Sequence, residues 1–222
     1  MECDIQCQIN NPASESEKFQ MRPVSILYRD TVKNFLYAVL RRMICPFNEM
    51  RSYLKNRRYI ADIGCGHGLF SVYLAQHNPS STVFGFDPNL TRLQSGYAAG
   101  KRMNNLHFIC GQFITKHSFD GICLSDVFHH LNSEDQTSLL AKIFESLVPG
   151  GVLVVKEICT NDGIQYLLSA LSDRILYPDD NLLFRSSTEW IRLLEVSGFT
   201  VKHKHIWYTP FSTNLFIAHK RD

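Results

Sequence analysis

"YIADIGCGHGLF", residues 59–70, closes an apolar run with a carboxylate and then alternates glycine with other residues: Asp62, Gly64, Gly66 and Gly68. The segment leading into it, "RRYIADIG", reads as a strand, and "LFSVYLAQHN" after it as a helix whose Phe70, Val72, Tyr73 and Leu74 form a mostly buried face. In an open parallel sheet, ligands bind in the crevice beyond the carboxyl ends of the strands, where the loop leaving the first strand lies. Residues 62–68 are that loop. A tight turn needs one glycine. Three of them, which permit backbone angles closed to other residues and let a ligand touch the main chain, imply a flat group pressed against the backbone.

Downstream, short apolar runs alternate with longer amphipathic ones, the pattern of strands joined by crossover helices. "STVFGFD" is a second strand and "NLTRLQSGYAAGKRMNN" a second helix, followed by strands in "LHFIC" and "FDGICLSD". "SEDQTSLLAKIFESL" is a helix with Ser133 as candidate N-cap, closed by "PGG" before a fifth strand, "VLVVKEI". Two more helices follow, "GIQYLLSALSDRIL" and "STEWIRLLEVSG", the second with Ser186 and Glu189 at capping-box spacing and Gly198 at its end. The last runs, "FTVKHKHIWYT" and "TNLFIAHKR", are too close together for a parallel crossover and are expected to form an antiparallel edge pair. Upstream, "DTVKNFLYAVLRRMICPF" sets Val32, Phe35, Leu36, Val39, Leu40 and Met43 at helical spacing between a candidate cap, Asp30, and a stop at Pro46. It reads as a covering helix, a moving lid, or both. The expected division is a disordered tail over 1–19, a helical cover over 20–57, and a doubly wound α/β domain over 58–222 with a seven-stranded, mostly parallel sheet.

Composition narrows the function. A formal charge of +2 on 222 residues does not announce a nucleic-acid or membrane-surface binder, and the pairs Arg41-Arg42 and Arg57-Arg58 read as solvated faces. No stretch approaches the ~20 apolar residues of a membrane span. Seven cysteines, Cys110 and Cys123 among them inside strand-like runs, read as reduced thiols in a cytoplasmic protein. Cys3 and Cys7 lack the third cysteine of a radical iron-sulfur motif, since Asn10 stands in its place, and His129-His130 and His203/His205 lack companions at zinc spacing, so no metal is expected.

A dinucleotide turn, G-x-G-x-x-G, would need a glycine where Leu69 stands, and Asp62 is an unwelcome neighbour for a pyrophosphate. A ligand with a positive group suits that carboxylate better. Asp87, ending "VFGFDPN" about 20 residues on, is placed to take both hydroxyls of a ribose. "DIGCGHG", "FGFDPN", "FDGICLSDVFHHL", "LVPGGVLVVKE" and "LLEVSGF", in this order and spacing, resemble the class I S-adenosylmethionine-dependent methyltransferases, specifically their small-molecule branch, over residues 59–219. The resemblance implies a Rossmann-like sheet, S-adenosyl-L-methionine as cofactor and S-adenosyl-L-homocysteine as product. It assigns Asp62, Gly64, Cys65, Gly66 and Gly68 to the methionine end and Asp87 to the ribose. Pro88, Gln112 and Phe113 fall at the adenine, Gln112 where the family commonly has an Asp. Asp126 would close the site near the methyl group, and Tyr28 would reach the cofactor from the N-terminal segment.

Methyl transfer from a sulfonium needs alignment and exclusion of water more than catalytic side chains. A base matters only when the acceptor must lose a proton, and His129 or His130 is the candidate, with His129 favoured because Phe128 and Leu131 look like packing positions. The loop "YPDDNLLFRSS" and the N-terminal helix suggest a covered pocket for a small, partly apolar acceptor rather than a nucleic acid or protein tail. Two other functions compete: a catalytically silent cofactor-binding subunit, and a nicotinamide oxidoreductase on a similar sheet.

Overall fold

The structure, a computed structural model, describes residues 23–29, 31–113 and 118–220; the tail 1–19, with Cys3 and Cys7, and the candidate cap Asp30 lie outside the described residues. Seven strands, β1 (Tyr59–Ile63), β2 (Thr82–Asp87), β3 (Leu106–Cys110), β4 (Phe119–Ser125), β5 (Leu147–Glu157), β6 (Phe199–His205) and β7 (Asn214–Lys220), form one sheet in the order β3-β2-β1-β4-β5-β7-β6. The first five are parallel; β7 lies antiparallel between β5 and β6, as the short connection between the last two strands demands. Strand order reverses between β1 and β4, so the crevice of the fold opens at their carboxyl ends.

Alternate residues of the central strands feed opposite faces, the mark of a sheet covered on both sides. Ile60, Cys123, Val152 and Val154 join one core, while Ala61, Ile122, Leu124, Leu153 and Val155 join the other. The helices are α1 (Val32–Ile44), α2 (Phe47–Leu54), α3 (Leu69–His77), α4 (Leu90–Gly100), α5 (Ser133–Ser146), α6 (Ile164–Leu176) and α7 (Ser187–Val196). The expected capping box of α7 is present: Ser186 and Glu189 each bond the other's backbone N–H. The cap of α5 falls one residue earlier than expected, on Asn132, whose side chain accepts from the Asp135 amide at 2.9 Å. At α1 the side chain of Thr31 accepts from the Asn34 amide.

Helix α1 ends at Ile44, ahead of Pro46 as expected, and a second helix not read from the sequence, α2, begins at Phe47 and buries Phe47, Met50 and Leu54. Proline is tolerated at a helix entrance, where its missing N–H has no helical partner to lose. The apolar stripe of α1, however, faces outward. Val32, Leu36, Leu40 and Met43 are exposed, while Ala38 is buried and Arg41 and Cys45 reach Ser125 at the end of β4. On the inner side of α1 the small residue Ala38, with Cys45 just past the helix end, joins the first core, while Arg41 turns toward the polar crevice at Ser125 and Asp126. On α6 as well, Leu167, Leu168, Leu171 and Ile175 are exposed.

Candidate active site

After Ile63 the chain turns through residues 64–68 into α3. Gly64 and Gly66 have left-handed φ of 67° and 56°, where a Cβ is strained. Space separates the roles of the glycines. A Cβ on Gly64 would stand 2.5 Å from Val127 Cγ2, so this glycine lets the turn after β4 close on the loop. A Cβ on Gly68 would stand 2.5 Å from the Phe108 ring, and Gly68 lies outside the cavity lining; it serves the packing of β3 rather than a ligand. At Gly66 a Cβ would meet nothing within 4 Å, and Gly66 lines the cavity. Gly66 is the open cradle.

Two carboxylates flank this loop. Asp87, buried at the end of β2, accepts from the Gly66 amide at 2.8 Å on one oxygen and from the Asn89 amide at 2.8 Å on the other. Each oxygen keeps acceptor capacity on the side that lines the cavity. Asp62, 2% exposed, accepts from Ser71 Oγ at 2.5 Å and from the Cys123 thiol at 3.6 Å, and among the described residues it makes no ion pair. Burial raises its pKa from 3.8 to about 6. Cys65, between them, lines the cavity, and burial together with the charges of Asp62 and Asp87 keeps its thiol protonated.

The cavity, of about 700 Å³, runs from Asp62, Gly66 and Asp87 to walls supplied by α1 and α6, with Tyr37, Leu40, Arg41 and Ile44 on one side and Ser169, Ser172, Asp173 and Leu176 on the other. Asp126 sits between, with a left-handed φ of 58°. Backbone strain of this kind survives only where surrounding bonds impose it. Here Lys156 Nζ lies 2.5 Å from one carboxylate oxygen and Arg41 2.6 Å from the other, while the Asp126 amide donates to the Lys156 carbonyl. Burial would raise the Asp126 pKa, but Lys156 and Arg41 outweigh it and hold the carboxyl well below the usual range.

The two histidines part company. His129 is fully buried, outside the cavity lining, with Nδ1 2.6 Å from Glu157 and Nε2 3.2 Å from Asp173. The second contact is off the hydrogen-bond line. Burial lowers the His129 pKa, yet Glu157 first, then Asp173, raise it to about 10, so this ring is an imidazolium at neutral pH. His130 lines the cavity and its Nδ1 lies 2.8 Å from Asp180. Asp126, His129 and Glu157 bring candidate metal donors within 4.8 Å of one another. Lys156 and Arg41 already occupy Asp126, and both Glu157 oxygens take protein donors, so the two carboxylates are committed to protein partners and we assign the set no metal.

Of the remaining candidates, Pro88 lines the cavity beside Asn89 and Arg92. Tyr28 does not: its hydroxyl donates to the His67 carbonyl at 2.9 Å, bracing the glycine loop from behind. Phe113 is a core residue packed on Phe86 and Phe119, and Gln112 is exposed and off the cavity lining. Sequence reasoning missed Arg41, Lys156, Asp173 and Asp180. None of the four left a signal: Arg41 reads as part of a solvated basic pair, and the others become site residues only through the packing of β5 and α6 and the position of the loop after α6.

A doubly wound sheet with a glycine cradle and flanking carboxylates at its switch point defines a nucleoside-binding α/β protein. The residues fit S-adenosylmethionine: Gly66 leaves room against the backbone, and a buried carboxylate with a raised pKa and no cation gains most from a positively charged ligand. A family model described as a methyltransferase domain matches residues 35–204. Among curated proteins, trans-aconitate 2-methyltransferase of Deinococcus radiodurans is 32% identical over 126 residues, covering 55% of this chain and 47% of the relative. O-methyltransferase 12 of Dictyostelium discoideum is 23% identical over 196 residues, 87% of this chain and 51% of the relative. Among solved structures, an O-methyltransferase family protein from Burkholderia thailandensis superposes with TM-score 0.72 at 15% identity, covering 88% of this chain and 62% of its own. Human N-acetylserotonin methyltransferase in complex with S-adenosylmethionine superposes with TM-score 0.61 at 21% identity, covering 78% and 52%. This chain spans about half the length of these curated relatives. The chain belongs to the class I S-adenosylmethionine-dependent methyltransferases. Among its described residues no helix is long and apolar enough to cross a membrane.

Proposed function

We propose that the protein transfers a methyl group from S-adenosylmethionine to a small, partly apolar acceptor. The observation that carries this reading is the continuity of the cavity, which joins the Asp62–Gly66–Asp87 cradle to the apolar side chains Leu40, Ile44, Leu176 and Phe211. When bound, the cofactor supplies an electrophilic methyl on a sulfonium. The chain's own part is to orient and to exclude water. Asp87 and the Gly66 backbone hold the nucleoside, Asp62 offers a negative charge to the cationic end, and α1 and α6 wall the acceptor from solvent.

For an acceptor that must lose a proton, we assign the base to His130 ahead of His129. Asp180 occupies Nδ1 of His130 and fixes the tautomer that leaves Nε2 as acceptor on a cavity-lining residue. His129, an imidazolium between two carboxylates, has no lone pair to offer and serves to hold Asp173 of α6 against Glu157 of β5. The test is transfer of labelled methyl from S-adenosylmethionine to a panel of phenols, amines and carboxylic acids. Product from one class, abolished by Asp87→Ala, supports the reading. Binding of S-adenosylhomocysteine with no product across the panel and across cell extracts returns the silent subunit.

A further inference from the structure

Helices α1 and α6 turn apolar stripes to the outside. On α1 these are Val32, Leu36, Leu40 and Met43, and on α6 Ile164, Leu168, Leu171 and Ile175, each set recurring at the three- and four-residue steps of one helix face. The two faces meet at one place. Leu40 and Leu176 line the cavity and are also 60% and 67% exposed, so they stand at its mouth, with α1 on one side and α6 on the other. The segment between β6 and β7 completes the rim. It sends Phe211 into the lining, is fastened to α6 where Gln165 Nε2 donates to the Thr209 carbonyl at 2.6 Å, and holds Trp207 78% exposed beside an exposed Tyr208. Apolar area of this extent gathered round one opening is a docking surface.

Charge decides what docks there. Helix α1 has no acidic residue, and the one acid of α6, Asp173, is turned in against His129. The charges that the helices show to solvent are basic: Lys33 and Arg174 are exposed, and Arg42 is half-buried over the Phe47 and Tyr73 rings. Of the acids bordering the rim, Asp180 is paired with His130 and Glu49 with Lys204. The net charge of +2 averages this asymmetry away. A second copy of the chain docked face to face would set these cations against one another, since a two-fold interface must complement itself. An anionic lipid surface meets them with opposite charge, takes up the apolar stripes, and suits an exposed tryptophan and tyrosine at the level of the headgroups.

We propose that the outer faces of α1 and α6, with Trp207 and Tyr208, seat the protein on an anionic lipid surface with the mouth of its cavity turned to the lipid. The helices lie along the headgroup layer and do not cross it, in keeping with their 13 residues each. The docking does not depend on the methyl-transfer reading.

Sedimentation with vesicles of phosphatidylcholine alone, and of phosphatidylcholine with about 30 mol % phosphatidylserine, tests it. Partition is expected to be about tenfold or more higher on the anionic vesicles at low salt, and to fall by about tenfold or more in the double variant Leu36→Asp, Leu171→Asp. Both leucines are exposed and outside the cavity lining, so the melting temperature of the double variant should stay near that of the unmutated protein. Trp207 gives a second readout, because the other tryptophan, Trp190, is buried. Emission should shift to the blue when anionic vesicles are added to the unmutated protein, and should not shift in Trp207→Phe. No partition to either vesicle, equal partition to both, or a folded double variant that partitions as well as the unmutated protein would overturn the proposal. So would a dimer in analytical ultracentrifugation that dissociates in the double variant, an outcome that gives this face to a second copy.

Discussion

Asp62→Asn should make the empty protein more stable and the cofactor site worse. Asp62 is a buried carboxylate without an ion pair among the described residues, and burial raises its pKa from 3.8 to about 6. At about 1.4 kcal/mol per pH unit, the cost of keeping it ionised in the folded chain reaches about 3 kcal/mol above pH 6. The sign follows from the two states. Below 3.8 the group is neutral both folded and unfolded and costs nothing. Between 3.8 and about 6 the unfolded chain ionises first, and folded stability is lost as pH rises through the folded pKa. An asparagine has no charge to desolvate. One of its two ends must meet Ser71 as an acceptor or Cys123 as a weak one, which offsets part of the gain. A net gain of about 1–3 kcal/mol corresponds to a melting temperature roughly 2–10 °C higher at pH 7.5 in a chain of this size. Thermal unfolding by circular dichroism at pH 4.5 and 7.5 checks it, with the larger gain at the higher pH, since only about 1 kcal/mol of the cost has developed at pH 4.5. Affinity for S-adenosylhomocysteine should fall at least tenfold in the same variant. A lower melting temperature at pH 7.5, or an equal gain at both pH values, would refute the reasoning that this buried charge costs stability, and an unchanged affinity would refute its role toward a ligand.

Three further outcomes are expected. Gly66→Ala should cost only about 1–2 kcal/mol of stability, from the left-handed φ alone, yet weaken S-adenosylhomocysteine by tenfold or more because its methyl enters the cradle; a calorimetric titration beside a melting curve separates the two effects. His129→Ala leaves Glu157 and Asp173 without their shared cation and should destabilise by about 3–5 kcal/mol in denaturant titration. Because its folded pKa is raised to about 10, the stability His129 contributes is complete below pH 6.5 and is lost as pH rises through about 10, so the variant should show a flatter decline between pH 7 and 10. His130→Ala should lower kcat for a hydroxyl acceptor about 100-fold while leaving cofactor affinity and melting temperature near those of the unmutated protein; a loss of turnover confined to a still-folded His129→Ala would return the base to that residue.

The sheet was legible because its strands and helices carry opposite periodicities. Ile60 and Ala61, or Val154 and Val155, are adjacent apolar residues that only a sheet buried on both faces accommodates, and each run is followed by a helix whose caps are written locally, as at Ser186 and Glu189. The antiparallel end followed from chain length alone. Local signals misled where two residues could do the same task, as with Asn132 and Ser133 at the start of α5, and Pro46, which marks the end of α1 correctly, also opens a short helix whose eight residues carry too little periodicity to be read.

The site divides along the same line. Asp62, Gly64, Gly66 and Asp87, singled out by strand-end position and residue type, do meet in the lining of one cavity. The second half of the cavity comes from α1 and α6, whose periodicity points the wrong way. A stripe such as Val32, Leu36, Leu40 and Met43 is read as the buried face, since apolar area removed from water drives most helix docking. In α1 the docking side instead carries Ala38 and Arg41, with Cys45 just beyond: small residues against the first core, and a guanidinium against Ser125 and Asp126. The side chain that ties α1 to the sheet is thus one that composition assigns to solvent, and its partner Asp126 is a strained residue stabilised by two cations contributed from α1 and β5. No spacing along the chain encodes that meeting, which joins residues 41, 126 and 156. It exists only once β4 and β5 are paired and α1 is laid across them, so the helix that sequence treats as a cover is tied to the sheet by an ion pair at the mouth of the crevice.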